Sequence, residues 1–157
     1  MGDRDSKRNG DSASGNVIAL SRFRKAKKPE PSRLVFYISE NARWEETFSQ
    51  IPLLSICKIQ TRADFNTQFT LRLPDFILIE AGTAWENPLH LIAESRRLME
   101  VPVILLCDGK KTTQQKNLIK EAYALGIHDV LFSPFHREDI FETFQLLLKL
   151  QDKQLEI

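Results

Sequence analysis

The feature that most constrains this chain is an alternation repeated five times. A short apolar run is followed by a stretch whose apolar residues recur at helical spacing. The apolar runs fall at 34–38, 56–61, Phe76–Glu80, 101–107 and 130–132. They are too short for helices and rich in Val, Ile, Leu and Phe, which marks them as strands. Between them the period changes to 3.6. Asn41 is placed to cap a helix carrying Trp44, Phe48 and Ile51. Residues 64–71 set Phe65 and Phe69 four apart, and 86–99 carry Leu91, Ile92, Ser95, Leu98 and Met99. Residues 112–125 put Leu118, Ala122 and Leu125 on one face, with Gly126 as the stop. Residues 137–150 carry Ile140, Phe141, Phe144, Leu147 and Leu148, the strongest amphipathic pattern in the chain. Strands alternating with helices predict an α/β fold, a parallel sheet covered on both faces.

The expected arrangement is a doubly wound, flavodoxin-like (β/α)5 domain with strand order 2-1-3-4-5. In that order the functional crevice lies at the carboxyl ends of the strands. Residues 38–40, Glu80, Cys107, Asp108 and Ser133 are therefore expected to converge.

Charge divides the chain. Residues 1–32 hold eight Lys/Arg and four Asp/Glu, net +4, and residues 33–157 hold fourteen and seventeen, net −3. Beyond Met1 the first 16 residues contain no large apolar side chain, and such a segment cannot offset the entropy of ordering. Residues 1–32 are thus expected to be a disordered basic tail, 33–150 the folded domain, and 151–157 a helical extension or tail. Within the tail Val17, Ile18, Leu20 and Phe23 are interleaved with Arg22, Arg24, Lys25, Lys27 and Lys28; Phe23, Arg24 and Lys25 form its candidate binding motif. Pro29 and Pro31 punctuate the boundary. A mildly acidic domain gives no reason to expect specific nucleic-acid binding. No apolar run is long enough to cross a membrane, and the polar start does not fit a secretory signal. The reading is a cytoplasmic protein. Cys57 and Cys107, both in apolar runs, read as small core residues. The histidines His90, His128 and His136 lack partners at ligand spacing, and there is no nucleophile elbow or glycine-rich phosphate loop. Neither enzyme chemistry, nor a metal, nor a cofactor is expected.

Three blocks carry a family resemblance: Pro74-Asp-Phe-Ile-Leu-Ile-Glu80, Val101-Pro-Val-Ile-Leu-Leu-Cys107, and the stretch from Ala124 through Ser133-Pro134-Phe135. In order and separation they resemble the back two-thirds of a response-regulator (CheY-like) receiver domain. The resemblance implies phosphoacceptor chemistry, and the residues at those positions contradict it. Glu80 stands where the acceptor Asp belongs, Cys107 where a receiver has Thr or Ser, and Ser133 where it has Lys. The acidic pair that holds Mg²⁺ is replaced by Ile38 and Ser39, or by Ser39 and Glu40 in the neighbouring register. Val130 replaces the switch aromatic. The chain therefore resembles a degenerate pseudo-receiver.

This implies a phosphorylation-independent protein-interaction module in bacterial signal transduction. One alternative is an atypical receiver still switched by phosphorylation or a ligand at the Glu80 crevice. Another is a localisation adaptor using the basic tail. Glu80 also invites a phosphomimic reading, but the weightier expectation is a strand-end acid facing water. Glu40, Glu80 and Asp108 form a relict cation site only if geometry brings them together. The partner is expected to be another signalling protein. It would meet either the tail or the face made by the fourth helix, fifth strand and fifth helix, for which Lys116, Tyr123, Val130 and Phe135 are the candidates. A homodimer through Leu150 and Leu155 of the helix extension is the remaining alternative.

Overall fold

Strict alternation along the strands builds two cores. The computed structural model describes residues 32–82 and 85–155. The tail motif Phe23, Arg24, Lys25 lies outside the described residues. The strands are β1 (Arg33–Ile38), β2 (Leu54–Ile59), β3 (Phe76–Glu80), β4 (Val103–Cys107) and β5 (Asp129–Phe132). The helices are α1 (Glu45–Ser49), α2 (Arg62–Leu71), α3 (Pro88–Leu98), α4 (Thr113–Ala124) and α5 (Arg137–Leu155). All strand pairs are parallel, in the expected order β2-β1-β3-β4-β5. Successive strand side chains point to opposite faces. Phe36, Ile38, Ile77, Ile79, Val103, Leu105 and Cys107 share one core with Phe65 of α2, Leu91 and Ile92 of α3 and Ala122 of α4. Val35, Tyr37, Phe76, Leu78, Ile104 and Leu106 share the other with Phe48 of α1 and Ile140, Phe144 and Leu147 of α5. The Phe76 and Phe144 rings stack at 4.4 Å. Each fully buried Leu, Ile, Val or Phe contributes about 1.5–3 kcal/mol.

Helix ends follow local chemistry. Thr61 caps α2, its hydroxyl accepting the Asp64 N–H at 3.0 Å, while Asp64 reaches back to the Gln60 N–H at 3.2 Å. This reciprocal cap ends β2 at Ile59 and takes Thr61 out of the strand expected over 56–61. Asn87 caps α3 ahead of Pro88, and Thr112 caps α4. Gly126, at φ 104°, stops α4 as expected. The first helix departs from expectation. It is a single short element beginning at Glu45, Trp44 is its N-cap residue without a side-chain cap, and Asn41 stays in the preceding loop. The reason lies in the site.

Candidate functional site

The alternation that builds the cores also decides where the site residues point. Tyr37 and Ser39 on the β1 line, and Glu80 on β3, have the parity of the α1–α5 face. Cys107 has the parity of the opposite face and packs with Val103 and Leu105. The backbones converge at the carboxyl edge: the Ala81 N–H donates to the Leu106 carbonyl at 2.8 Å, and the Ser133 N–H to the Cys107 carbonyl at 2.9 Å. The expected convergence of side chains fails for Cys107. Burial pushes its thiol up to about 11, with Asp108 adding in the same direction, so it is a protonated core group at neutral pH.

Glu80 is not the water-facing acid expected from its strand-end position. Only 3% of it is exposed. An ion this deep is costly unless paired and hydrogen-bonded. Tyr37 Oη donates to Glu80 Oε2 at 3.1 Å, Ser39 Oγ donates to Oε1 at 2.9 Å, and Arg43 Nε approaches Oε2 at 3.5 Å. Both hydroxyls are also acceptors. The Trp44 N–H donates to Tyr37 Oη at 3.1 Å, and the Ala42 N–H donates to Ser39 Oγ at 3.0 Å. The loop between β1 and α1 is thus laced to Glu80. It holds Ala42 at φ 49°, a region L side chains seldom adopt. With the loop held this way the helix starts at Glu45, three residues later than a cap at Asn41 would place it. Burial raises the Tyr37 pKa; the Trp44 N–H works against this, and the negative Glu80 works with it. The phenol stays neutral and serves Glu80 as a donor.

The network reaches outward through Arg43 and Trp44. The Arg43 guanidinium sits 4.2 Å from the Trp44 ring centre, and Trp44 meets Phe135 edge-on at 4.7 Å. Phe135 also lies 5.5 Å from Phe48 and is half-buried. Val130 is half-buried against the α2–α4 core. Of the four candidate partner residues, Lys116 and Tyr123, both on α4, are exposed. Ser133 is half-buried and joined to Pro134 by a cis peptide bond.

Receivers hold Mg²⁺ at this edge, and the residues present here do not fit it. The Glu80 carboxylate faces two hydroxyl donors and a guanidinium, Ser39 spends its proton on Glu80, and Glu40 is exposed. Asp108 turns onto the Lys110 N–H at 3.0 Å. Among the described residues, no three His, Cys, Asp or Glu are grouped to hold a metal ion, so Glu40, Glu80 and Asp108 are not a cation site. Sequence reasoning missed Tyr37, Arg43 and Trp44. The available signal was a tyrosine inside an otherwise apolar strand, with the parity of Glu80 on the neighbouring strand.

No protein-family profile and no curated protein sequence matches the chain. Solved structures do. A CheY-like receiver domain protein from Methanospirillum hungatei superposes with a TM-score of 0.66 at 12% identity, over 78% of this chain and 98% of that one. A response regulator receiver domain from Francisella gives 0.61 at 18% identity, over 76% and 99%. NtrX from Brucella abortus gives 0.66 at 14% identity, over 80% of this chain but only 28% of the longer NtrX chain. At such identities the likeness is one of backbone and not of site residues. The chain therefore has the fold of a response-regulator receiver domain, built around a carboxylate that is buried and internally paired.

Proposed function

We propose that this chain is a pseudo-receiver, a phosphorylation-independent protein-interaction module of bacterial signalling, and not an enzyme. The observation that carries this reading is the pairing of both Glu80 oxygens from within the fold. A phosphoacceptor needs an accessible carboxylate, a cation beside it and a lysine to neutralise the phosphoryl group. Here the carboxylate is buried, an arginine is already paired with it, and Ser133 brings no charge. Glu80 acts as the anchor that holds the β1–α1 loop. The same facts speak against Glu80 as a phosphomimic, because its partners are Tyr37 and Ser39 on its own side of the sheet. A signalling partner then reads a constitutive surface. The exposed Lys116 and Tyr123 make α4 its starting point, with Val130 packing beneath it and Phe135 on the opposite face of the sheet against Trp44 and Phe48.

Amide spectra recorded with acetyl phosphate, and separately with beryllofluoride and Mg²⁺, test this. No shift is expected in 38–44 or 80–82. Shifts centred on those residues, or a phosphoryl mass increase lost in Glu80→Ala, would establish a switchable receiver instead.

A further inference from the structure

The opposite edge of the sheet has a different character. In a parallel sheet every helix-to-strand connection returns to the amino ends of the strands. Leu53 directly precedes β2, Leu71 ends α2, Leu73 lies before β3, Leu98 ends α3 and Leu125 follows α4; all five are exposed. They stand at the entries of four strands, so with adjacent strands about 4.8 Å apart they lie along one edge roughly 20 Å wide. Leu71 and Leu73 are 71% and 74% exposed, and so project from the surface. Leu53 holds φ 68°, an unusual conformation for a bulky residue. Leu98 and Leu125 continue apolar helical stripes, whereas Leu71 and Leu73 are left mostly in water.

Arginines are interleaved with them. Arg33 opens β1, Arg72 separates Leu71 from Leu73, and Arg96 and Arg97 precede Leu98. The acids at this edge are Asp75, which is paired with Arg33 at 3.6 Å, together with Glu100 and Asp129. Over these residues the edge carries four arginines and three acids, net +1, on a domain whose net charge is −3.

We propose that this amino edge docks on an anionic lipid surface. The leucines enter the interfacial layer, and Arg72, Arg96 and Arg97 meet headgroup phosphates. Apolar side chains that project singly from separate turns suit a flat, deformable layer. The basic residues between them select negative lipid over zwitterionic lipid. The inference does not depend on the state of the Glu80 site.

The test is co-sedimentation of the full chain with vesicles of phosphatidylcholine, alone or with one-quarter phosphatidylglycerol. Binding to the anionic vesicles only is expected, weakening as salt rises. The double substitution Leu71→Asp with Leu73→Asp should lower partitioning at least tenfold, and Arg97→Glu about threefold. Both variants should keep the parent circular dichroism spectrum, since the altered side chains are exposed. Vesicle binding unchanged by Leu71→Asp with Leu73→Asp would overturn the proposal and assign lipid binding to the basic tail. Absence of vesicle binding would also overturn it. In that case a concentration-dependent dimer in sedimentation velocity, lost in the double variant, would identify a second copy as the occupant.

Discussion

The two edges of the sheet are built on opposite terms. At the carboxyl edge a deeply buried carboxylate is met by Tyr37, Ser39 and Arg43, and the hydroxyls are in turn met by the Trp44 and Ala42 N–H groups. At the amino edge apolar side chains that could have been covered are left in water, at Leu53, Leu71, Leu73, Leu98 and Leu125. The first arrangement consumes binding capacity and the second offers it. In a receiver fold the carboxyl edge is where chemistry is expected. Here the carboxylate at that edge is met by side chains of its own fold, although Phe132 at the end of β5 stays exposed.

The largest effect expected from breaking this contrast is at Tyr37. Tyr37→Phe keeps the ring and its packing 5.9 Å from Phe48, but leaves Glu80 with one donor fewer and the Trp44 N–H with no acceptor. Two buried polar groups lose a partner, at about 1–3 kcal/mol each when fully desolvated. Trp44 is only half-buried, which places the total near 3 kcal/mol. Urea unfolding followed at the two tryptophans measures it. Leu71→Asp under the same conditions should cost under about 0.5 kcal/mol, as exposed positions usually do. If the two variants unfold at the same urea concentration, the Glu80 carboxylate is not held as described above.

A smaller effect belongs to His128, a polar residue of the amino edge with a structural task. Its Nδ1 accepts the Val103 N–H at 3.1 Å, and the His128 backbone N–H donates to the Val103 carbonyl at 2.8 Å, joining the entries of β5 and β4. Burial lowers the His128 pKa, and the nearby Arg96 lowers it further. The unfolded chain then binds a proton more readily than the folded one, so stability rises with pH in this range. The contribution is fully present above the ordinary histidine pKa of about 6.5 and declines as pH falls through that value towards the folded pKa. His128→Asn should flatten the stability profile between about pH 6.5 and pH 5 relative to the parent. A steeper profile in the variant would contradict the direction assigned here.

What was legible in the sequence, and what was not, divides along the same physical line. Periodicity is local, so the five strands and the stop at Gly126 are legible in it, whereas their order in the sheet follows from the flavodoxin-like pattern and the family resemblance. Capping is local too, and the Thr61–Asp64 pair is the signal that ends β2 at Ile59 and not at Thr61. The site was only half legible. That Glu80 replaces the acceptor follows from the resemblance, but its burial depends on which side chains of β1 share its face. The register of Ile38 beside Ile79 across two parallel strands is long-range information. The loop from Ser39 to Trp44 was opaque for the same reason. Its conformation, including Ala42 at positive φ, is imposed by Glu80 from more than thirty residues away and not by its own composition.

The smallest expected effect on stability is also the sharpest probe of the amino edge. Leu53 occupies the left-handed region at φ 68° because its carbonyl must accept the Arg33 N–H, at 2.7 Å, as β1 begins beside β2. A bulky side chain there costs about 1–2 kcal/mol relative to an ordinary conformation, whereas asparagine is enriched in that region. The same substitution gives up the half of the leucine that is buried, a loss of about 1 kcal/mol. The two terms oppose each other, and Leu53→Asn should leave the unfolding free energy within about 0.5 kcal/mol of the parent. Its partitioning to anionic vesicles should nevertheless fall severalfold. A variant as stable as the parent but poorer at lipid would mean that this strained leucine serves the surface and not the fold. A loss near 2 kcal/mol with unchanged partitioning would return Leu53 to the core and narrow the docking edge to the α2–β3 turn.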